Sequence, residues 1–236
     1  MKRTIVLFFA GALILSGCNL PPELENVPRI EFNGIYFVEI PDSTSGNENK
    51  TIDALVLDFD FEDGDGNIGL DDSFNDRKFQ PYEYVLDDSA PGEDNRIRYG
   101  SKPGLPPYNP KDYEIEFTVV GGKPVPKDTF LVIRNENYYN FFLNLYVKKN
   151  GQYEYYDPWV NRQQTFNARI PVIKDKGKSS QGTIRYKWES RSWEFFLPLD
   201  TVKIEFYIKD RDLNQSNTLS TPDFLIRNLL LQKRKL

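Results

Sequence analysis

From residue 30 onward, apolar and polar positions alternate with a period of two. Leu55, Leu57, Phe59 and Phe61 alternate with Val56, Asp58, Asp60 and Glu62. Val202, Ile204, Phe206 and Ile208 alternate with Lys203, Glu205, Tyr207 and Lys209. Successive side chains of a strand point to opposite faces, so this pattern predicts strands with one face buried. Similar runs cover 30–40, 113–120, 130–134, 140–148, 166–172, 183–188 and 224–230. No long segment repeats with the 3.6-residue period of a helix. Many short alternating strands pack most readily as an all-β, antiparallel β-sandwich.

The stretch around 71–112 breaks the pattern. It holds Pro81, Pro91, Pro103, Pro106, Pro107 and Pro110 among Gly, Asp and Asn, and reads as a long Pro/Gly-rich loop excursion. Long loops inside compact domains often carry function, so it is a candidate contact surface; a variable insertion without a partner fits the same residues. The segment before it is too short for a complete seven-stranded sandwich, which favours one domain over 29–236 with the excursion inserted.

The N-terminus changes the compartment. Lys2 and Arg3 precede an apolar run from Ile5 to Leu15 that is short for a membrane span, the form of a secretory signal over 1–17. Leu15-Ser16-Gly17-Cys18 then resembles the lipobox of bacterial lipoproteins, which implies cleavage before Cys18 and acylation of its sulfur. Cys18 is the only cysteine, so no intrachain disulfide forms. Residues 18–28, rich in Pro and Glu, read as an acylated tether, and two or more acyl chains give durable membrane attachment. Asn19 replaces the aspartate that retains enterobacterial lipoproteins at the inner membrane, so the expected destination is the outer membrane. Pro21-Pro22-Glu23-Leu24-Glu25 resembles the acidic export signals of Bacteroidota surface lipoproteins. Removing Lys2 and Arg3 leaves 28 basic against 35 acidic residues and moves the net charge from −5 to −7. Scattered basic residues in an acidic chain argue against a nucleic-acid partner.

One motif carries chemistry. In Asp63-Gly64-Asp65-Gly66-Asn67-Ile68-Gly69-Leu70-Asp71, the oxygens of Asp63, Asp65, Asn67 and Asp71, with the Gly69 carbonyl, match positions 1, 3, 5, 9 and 7 of an EF-hand loop. Ile68 stands where an EF-hand needs glycine, Phe74 where it needs glutamate, and strands replace the flanking helices. An authentic EF-hand is excluded. A looser calcium loop and a plain tight turn both remain, because Asp-Gly pairs satisfy either. Asp210, Asp212 and Asn214 echo the motif after the strand at 202–208. Two such loops at one end of a sandwich would share an ion or form an acidic rim, although Arg211 brings a competing cation.

These two segments, Phe61-Glu62-Asp63-Gly64-Asp65-Gly66-Asn67-Ile68-Gly69 and Ile208-Lys209-Asp210-Arg211-Asp212-Leu213-Asn214-Gln215-Ser216-Asn217-Thr218, resemble a group of Bacteroidota outer-membrane lipoproteins. The second is also similar to the last hairpin of bacterial immunoglobulin-like domains. The resemblance implies an immunoglobulin-like β-sandwich and no catalytic residue.

Exclusions point the same way. The chain has no histidine, which removes Ser-His-Asp and Cys-His catalysis and most zinc sites. It has no glycine-rich phosphate loop. A carboxylate pair for glycoside hydrolysis cannot be picked out from sequence, since such pairing is spatial. Tyr153, Tyr155, Tyr156 and Trp159 surround Asp157-Pro158, and Trp188 and Trp193 bracket a turn; their rings suit sugar stacking, a protein contact or sheet packing. The expectation is a non-enzymatic accessory subunit of an outer-membrane protein complex, with calcium as the one candidate cofactor. The alternative is a glycan-binding lipoprotein of a nutrient-uptake system using Tyr155, Trp159, Trp188 or Trp193, and a carboxylate-dependent hydrolase comes third.

Overall fold

The computed structural model describes residues 24–42, 50–71, 74, 76–89, 94–173, 179–189 and 200–234. The signal, Cys18 and Trp193 lie outside them. The chain is mostly β, and its paired strands are antiparallel. One sheet orders β1 (Arg29–Pro41), β2 (Thr51–Asp63) and β8 (Ser180–Glu189) as β1-β2-β8. A second contains β6 (Phe141–Lys149), β7 (Gln152–Tyr155), β9 (Thr201–Ile208), β10 (Leu219–Ser220) and β11 (Phe224–Leu225), with β9 central beside β6.

The inward positions of both sheets meet in one core. Leu55, Leu57, Phe59 and Phe61 from β2 face Phe141, Leu143, Leu145 and Val147 from β6 and Val202, Ile204, Phe206 and Ile208 from β9. Phe59 stacks on Phe141 at 5.7 Å and tilts against Phe206 at 5.2 Å, geometry that adds to area burial. Strand β9 keeps the predicted alternation along its whole length. Strand β2 does not, because Ala54 and Val56 on its other face join Val38 and Ile40 in a second small cluster.

The stretch 71–112 is not loop throughout. It contributes a 3-10 turn at Arg77–Phe79 and β3 (Tyr82–Tyr84), which pairs with β5 (Lys123–Arg134). On its other side β5 pairs with β4 (Tyr113–Val120), giving a third sheet of order β3-β5-β4. Isolated bridges Leu86↔Arg96 and Arg98↔Phe130 tie the turns to it.

Two expected strands differ. Residues 166–172 make one bridge, Ala168↔Phe141, and are held instead by Asn140. Its buried amide accepts from Ile170 N–H at 2.6 Å and donates to Ile170 C=O at 3.1 Å. In 224–230, β11 gives way to a helix at Ile226–Leu231, because Ile226, Leu229 and Leu230 also satisfy the i, i+3, i+4 spacing of a helix. The other helix, α1 (Pro158–Arg162), starts where Asp157 accepts from the N–H groups of Trp159 and Val160, with Pro158 in the first turn.

Candidate metal centre

The two acidic loops meet. β2 ends at Asp63 and β9 at Ile208, and an antiparallel bridge Ile68↔Asp210 joins the segments that follow them. The Arg211 N–H donates to the Asn67 carbonyl at 3.3 Å, closing the gap between residues 144 positions apart. One ligand oxygen each from Asp63, Asp65 and Asp210 comes within 4.8 Å of the others.

Local hydrogen bonds shape each loop. In the first, Asn67 N–H donates to Asp63 Oδ2 at 2.8 Å, and Asn67 Nδ2 donates to Asp65 Oδ2 at 2.9 Å and to Asp212 Oδ2 at 3.0 Å. In the second, Asp210 accepts at Oδ1 from Asn214 N–H at 2.7 Å and at Oδ2 from Asn214 Nδ2 at 2.8 Å. These bonds leave Asp63 Oδ1, Asp65 Oδ1 and Asn67 Oδ1 buried without a donor. Asp63 is fully buried and Asn67 and Asp210 are each 2% exposed. Buried acceptors without a partner are costly, and several in one cluster mark a place where a cation or water would complete the shell.

Electrostatics agree with that geometry. Burial pushes the Asp63 carboxyl up to about 6, with the charges of Asp65 and Asp210 adding and the Asn67 N–H opposing. Burial also raises Asp210, against its bonds to Asn214. The donor set is entirely oxygen, without sulfur or imidazole, so it suits a hard divalent cation rather than zinc or copper.

The remaining predicted ligands fall elsewhere. Gly69 keeps its carbonyl close to Arg211, whose Nη1 lies 3.4 Å away, and the Asp71 carbonyl accepts from Arg169 Nη2 at 2.8 Å. The Arg211 guanidinium, buried in the chain, also sits 5.2 Å from the Phe74 ring. Its charge therefore ties the loops together instead of pointing among the three carboxylates. Gly69 has φ +106°, and a Cβ there would come within 2.5 Å of Pro171, so only glycine allows this approach. Asp212 touches the cluster through Asn67, and Asn214 supports it through Asp210. That Asp210 joins the Asp63 loop is a tertiary fact, since only the shared end of two sheets brings it there.

The aromatic candidates occupy separate surroundings. Trp188 packs on Phe166 at 4.5 Å at the edge of the core. Tyr155 is half exposed on β7, 5.9 Å from Tyr146. Trp159 lines a cleft of about 500 Å³ between the β3-β5-β4 sheet and the main body, together with Tyr139, Phe142, Tyr207 and Asn167. The last four escaped sequence reasoning, although the register pairing Phe142 with Tyr207 stacks their rings 4.7 Å apart.

The fold and site thus define an antiparallel all-β protein with a two-loop acidic centre. Compared with models of known protein families, with curated proteins and with solved structures, the chain matches none.

Proposed function

We propose that this protein is a non-enzymatic, lipid-anchored interaction subunit of an outer-membrane complex, an immunoglobulin-like sandwich whose two acidic loops are clamped by one calcium ion. The observation that carries the clamp is the convergence of Asp63, Asp65 and Asp210 with buried, unpartnered oxygens on Asp63, Asp65 and Asn67. Calcium accepts many oxygen ligands in flexible geometry, which suits a shell assembled from two loops. The Leu15-Ser16-Gly17-Cys18 motif supports the anchor, and the absence of histidine from the sequence supports a role without Ser-His-Asp or Cys-His catalysis.

Calorimetric titration with calcium should report one site, lost in Asp63→Asn and Asp210→Asn. Silent titrations at neutral pH would overturn the clamp. The interaction reading is tested by isolating the tagged protein from mild-detergent extracts of its native membranes, with and without chelator. A stoichiometric partner is expected, released by chelation; a protein that emerges alone in both conditions refutes it.

A second reading rests on the cleft at Trp159. Its aromatic walls and amide-bearing rim, with both charge signs represented by Lys111, Asp112 and Glu136, suit a neutral glycan. Glycan-array binding lost in Trp159→Ala supports it, and a silent array removes it.

A further inference from the structure

We infer that the tip of the β4–β5 hairpin docks into an anionic phospholipid surface. Residues 117–127, Phe-Thr-Val-Val-Gly-Gly-Lys-Pro-Val-Pro-Lys, are all exposed, and among them Phe117 (59%), Val119 (72%), Val120 (61%) and Val125 (41%) are large apolar side chains. Singly exposed apolar residues are ordinary; four on one projecting ribbon are not.

The register organises them. Gly121 and Gly122, at φ 58° and 78°, form a two-residue turn of the I′ type, flanked by Val120↔Lys123. Pairing then alternates, so Val119↔Pro124 and Phe117↔Pro126 are non-hydrogen-bonded pairs that share one face. That face is wholly apolar. The same alternation turns the missing N–H groups of Pro124 and Pro126 to the outer edge of β5. An edge without donors resists the addition of a partner strand, which disfavours a protein recognised by sheet extension there.

Charge selects the surface. The acids at the hairpin base are paired: Glu114 with Arg134 at 2.8 Å, Asp128 with Arg98 at 3.1 Å, and Glu116 with Arg96. Beyond them the tip carries Lys123 and Lys127 and no acid, in a chain with net charge −5. Apolar side chains flanked by lysines match hydrocarbon beneath anionic headgroups. Outward backbone groups of Phe117 and Val119 still need water, which keeps the tip at headgroup depth.

Position supplies the reach, and this step rests on the lipid-anchor reading. The Gly64 N–H donates to the Glu25 carbonyl at 2.8 Å, so the start of the described chain passes the acidic loops. At the same end, Lys78 Nζ donates to the Arg211 carbonyl at 2.6 Å, and Asn135 Nδ2 to the carbonyls of Lys78 and Gln80 at 2.8 Å, fixing the hairpin base. Six residue steps from Cys18 to Leu24 span at most about 20 Å, whereas β5 from Arg134 to Lys123 extends roughly 36 Å.

The test uses the full-length, membrane-processed protein reconstituted in vesicles of phosphatidylethanolamine and phosphatidylglycerol, with an environment-sensitive fluorophore on Val119→Cys or, as a control far along the chain, Val160→Cys. Intact mass reports acylation of Cys18 separately, so failure of the anchor and failure of the tip are distinguishable. The fluorophore at 119 should shift to the blue and be quenched by lipid-borne quenchers, while that at 160 stays accessible to aqueous iodide. Each lysine charge near an anionic surface contributes about fivefold to association, so Lys123→Gln with Lys127→Gln should reduce the ratio of inserted to free tip about 25-fold. Identical emission and iodide quenching at both positions would overturn the proposal. So would protection of 119 in native membranes but not in pure lipid, which would identify a protein receptor.

Discussion

Replacing Asp63 by asparagine should stabilise the cation-free protein at pH 7.5 and abolish its response to calcium. Asp63 accepts from Asn67 N–H through Oδ2, while Oδ1 is buried without a donor beside Asp65 and Asp210. Its carboxyl is raised from 3.8 to about 6, chiefly by burial. A rise of that size corresponds to roughly 3 kcal/mol. Because the folded value lies above the unfolded one, this contribution is fully present below about pH 4 and is lost as pH rises through about 6. In chelator, the melting temperature should therefore fall by about 6–12 °C between those limits, at 2–4 °C per kcal/mol for a chain of this size. Calcium at about 100 times its dissociation constant restores about 2.7 kcal/mol at pH 7.5, or about 5–11 °C. Asparagine keeps the shape and the bond to Asn67 but carries no charge, so both the pH slope and the calcium response should shrink together. Calorimetric melts from pH 4 to 7.5, with calcium or with chelator, read all of this. A loop that is only a turn predicts no calcium response in the parent, and a variant no more stable than the parent in chelator would mean that Asp63 carries no buried-charge cost; either result would refute the reasoning.

Three further outcomes test the frame around the centre. Asn140→Ala removes the acceptor of the buried Ile170 N–H, while the Ile170 carbonyl keeps the Leu70 N–H at 2.8 Å, and should cost roughly 1–3 kcal/mol in urea unfolding; a loss below about 0.5 kcal/mol would show that water replaces the amide. Phe206→Ala opens a cavity beside Phe59 and Phe141 and should cost about 3–5 kcal/mol by the same measurement, with the acidic loops also loosened in hydrogen exchange. Gly69→Ala forces a Cβ to within 2.5 Å of Pro171 at a positive φ and should weaken calcium binding in calorimetry along with stability, because the displaced carbonyl no longer meets Arg211. Unchanged affinity would separate Gly69 from the centre.

Much of this protein was legible along the chain. The period-two pattern located β1, β2, β4, β6, β8 and β9, because strict alternation is the direct imprint of a sheet with one face in the core. The Asp-Gly-Asp-Gly-Asn run and its echo at Asp210, Asp212 and Asn214 marked both acidic loops, since their chemistry is local and carried by residue type. Short segments were ambiguous: 224–230 fits either period, and 166–172 is held by the side chain of Asn140 instead of a ladder. Packing decided what no local pattern could. The register of β5 between β3 and β4 turned part of a proline-rich stretch into a third sheet, and the shared end of β2 and β9 joined Asp63 and Asp65 to Asp210. The same convergence sent Arg211 to the Gly69 carbonyl and left the carboxylates facing one another. Periodicity and composition report what each segment prefers by itself, whereas a ligand shell depends on distances between residues far apart in sequence, and only the folded chain sets those.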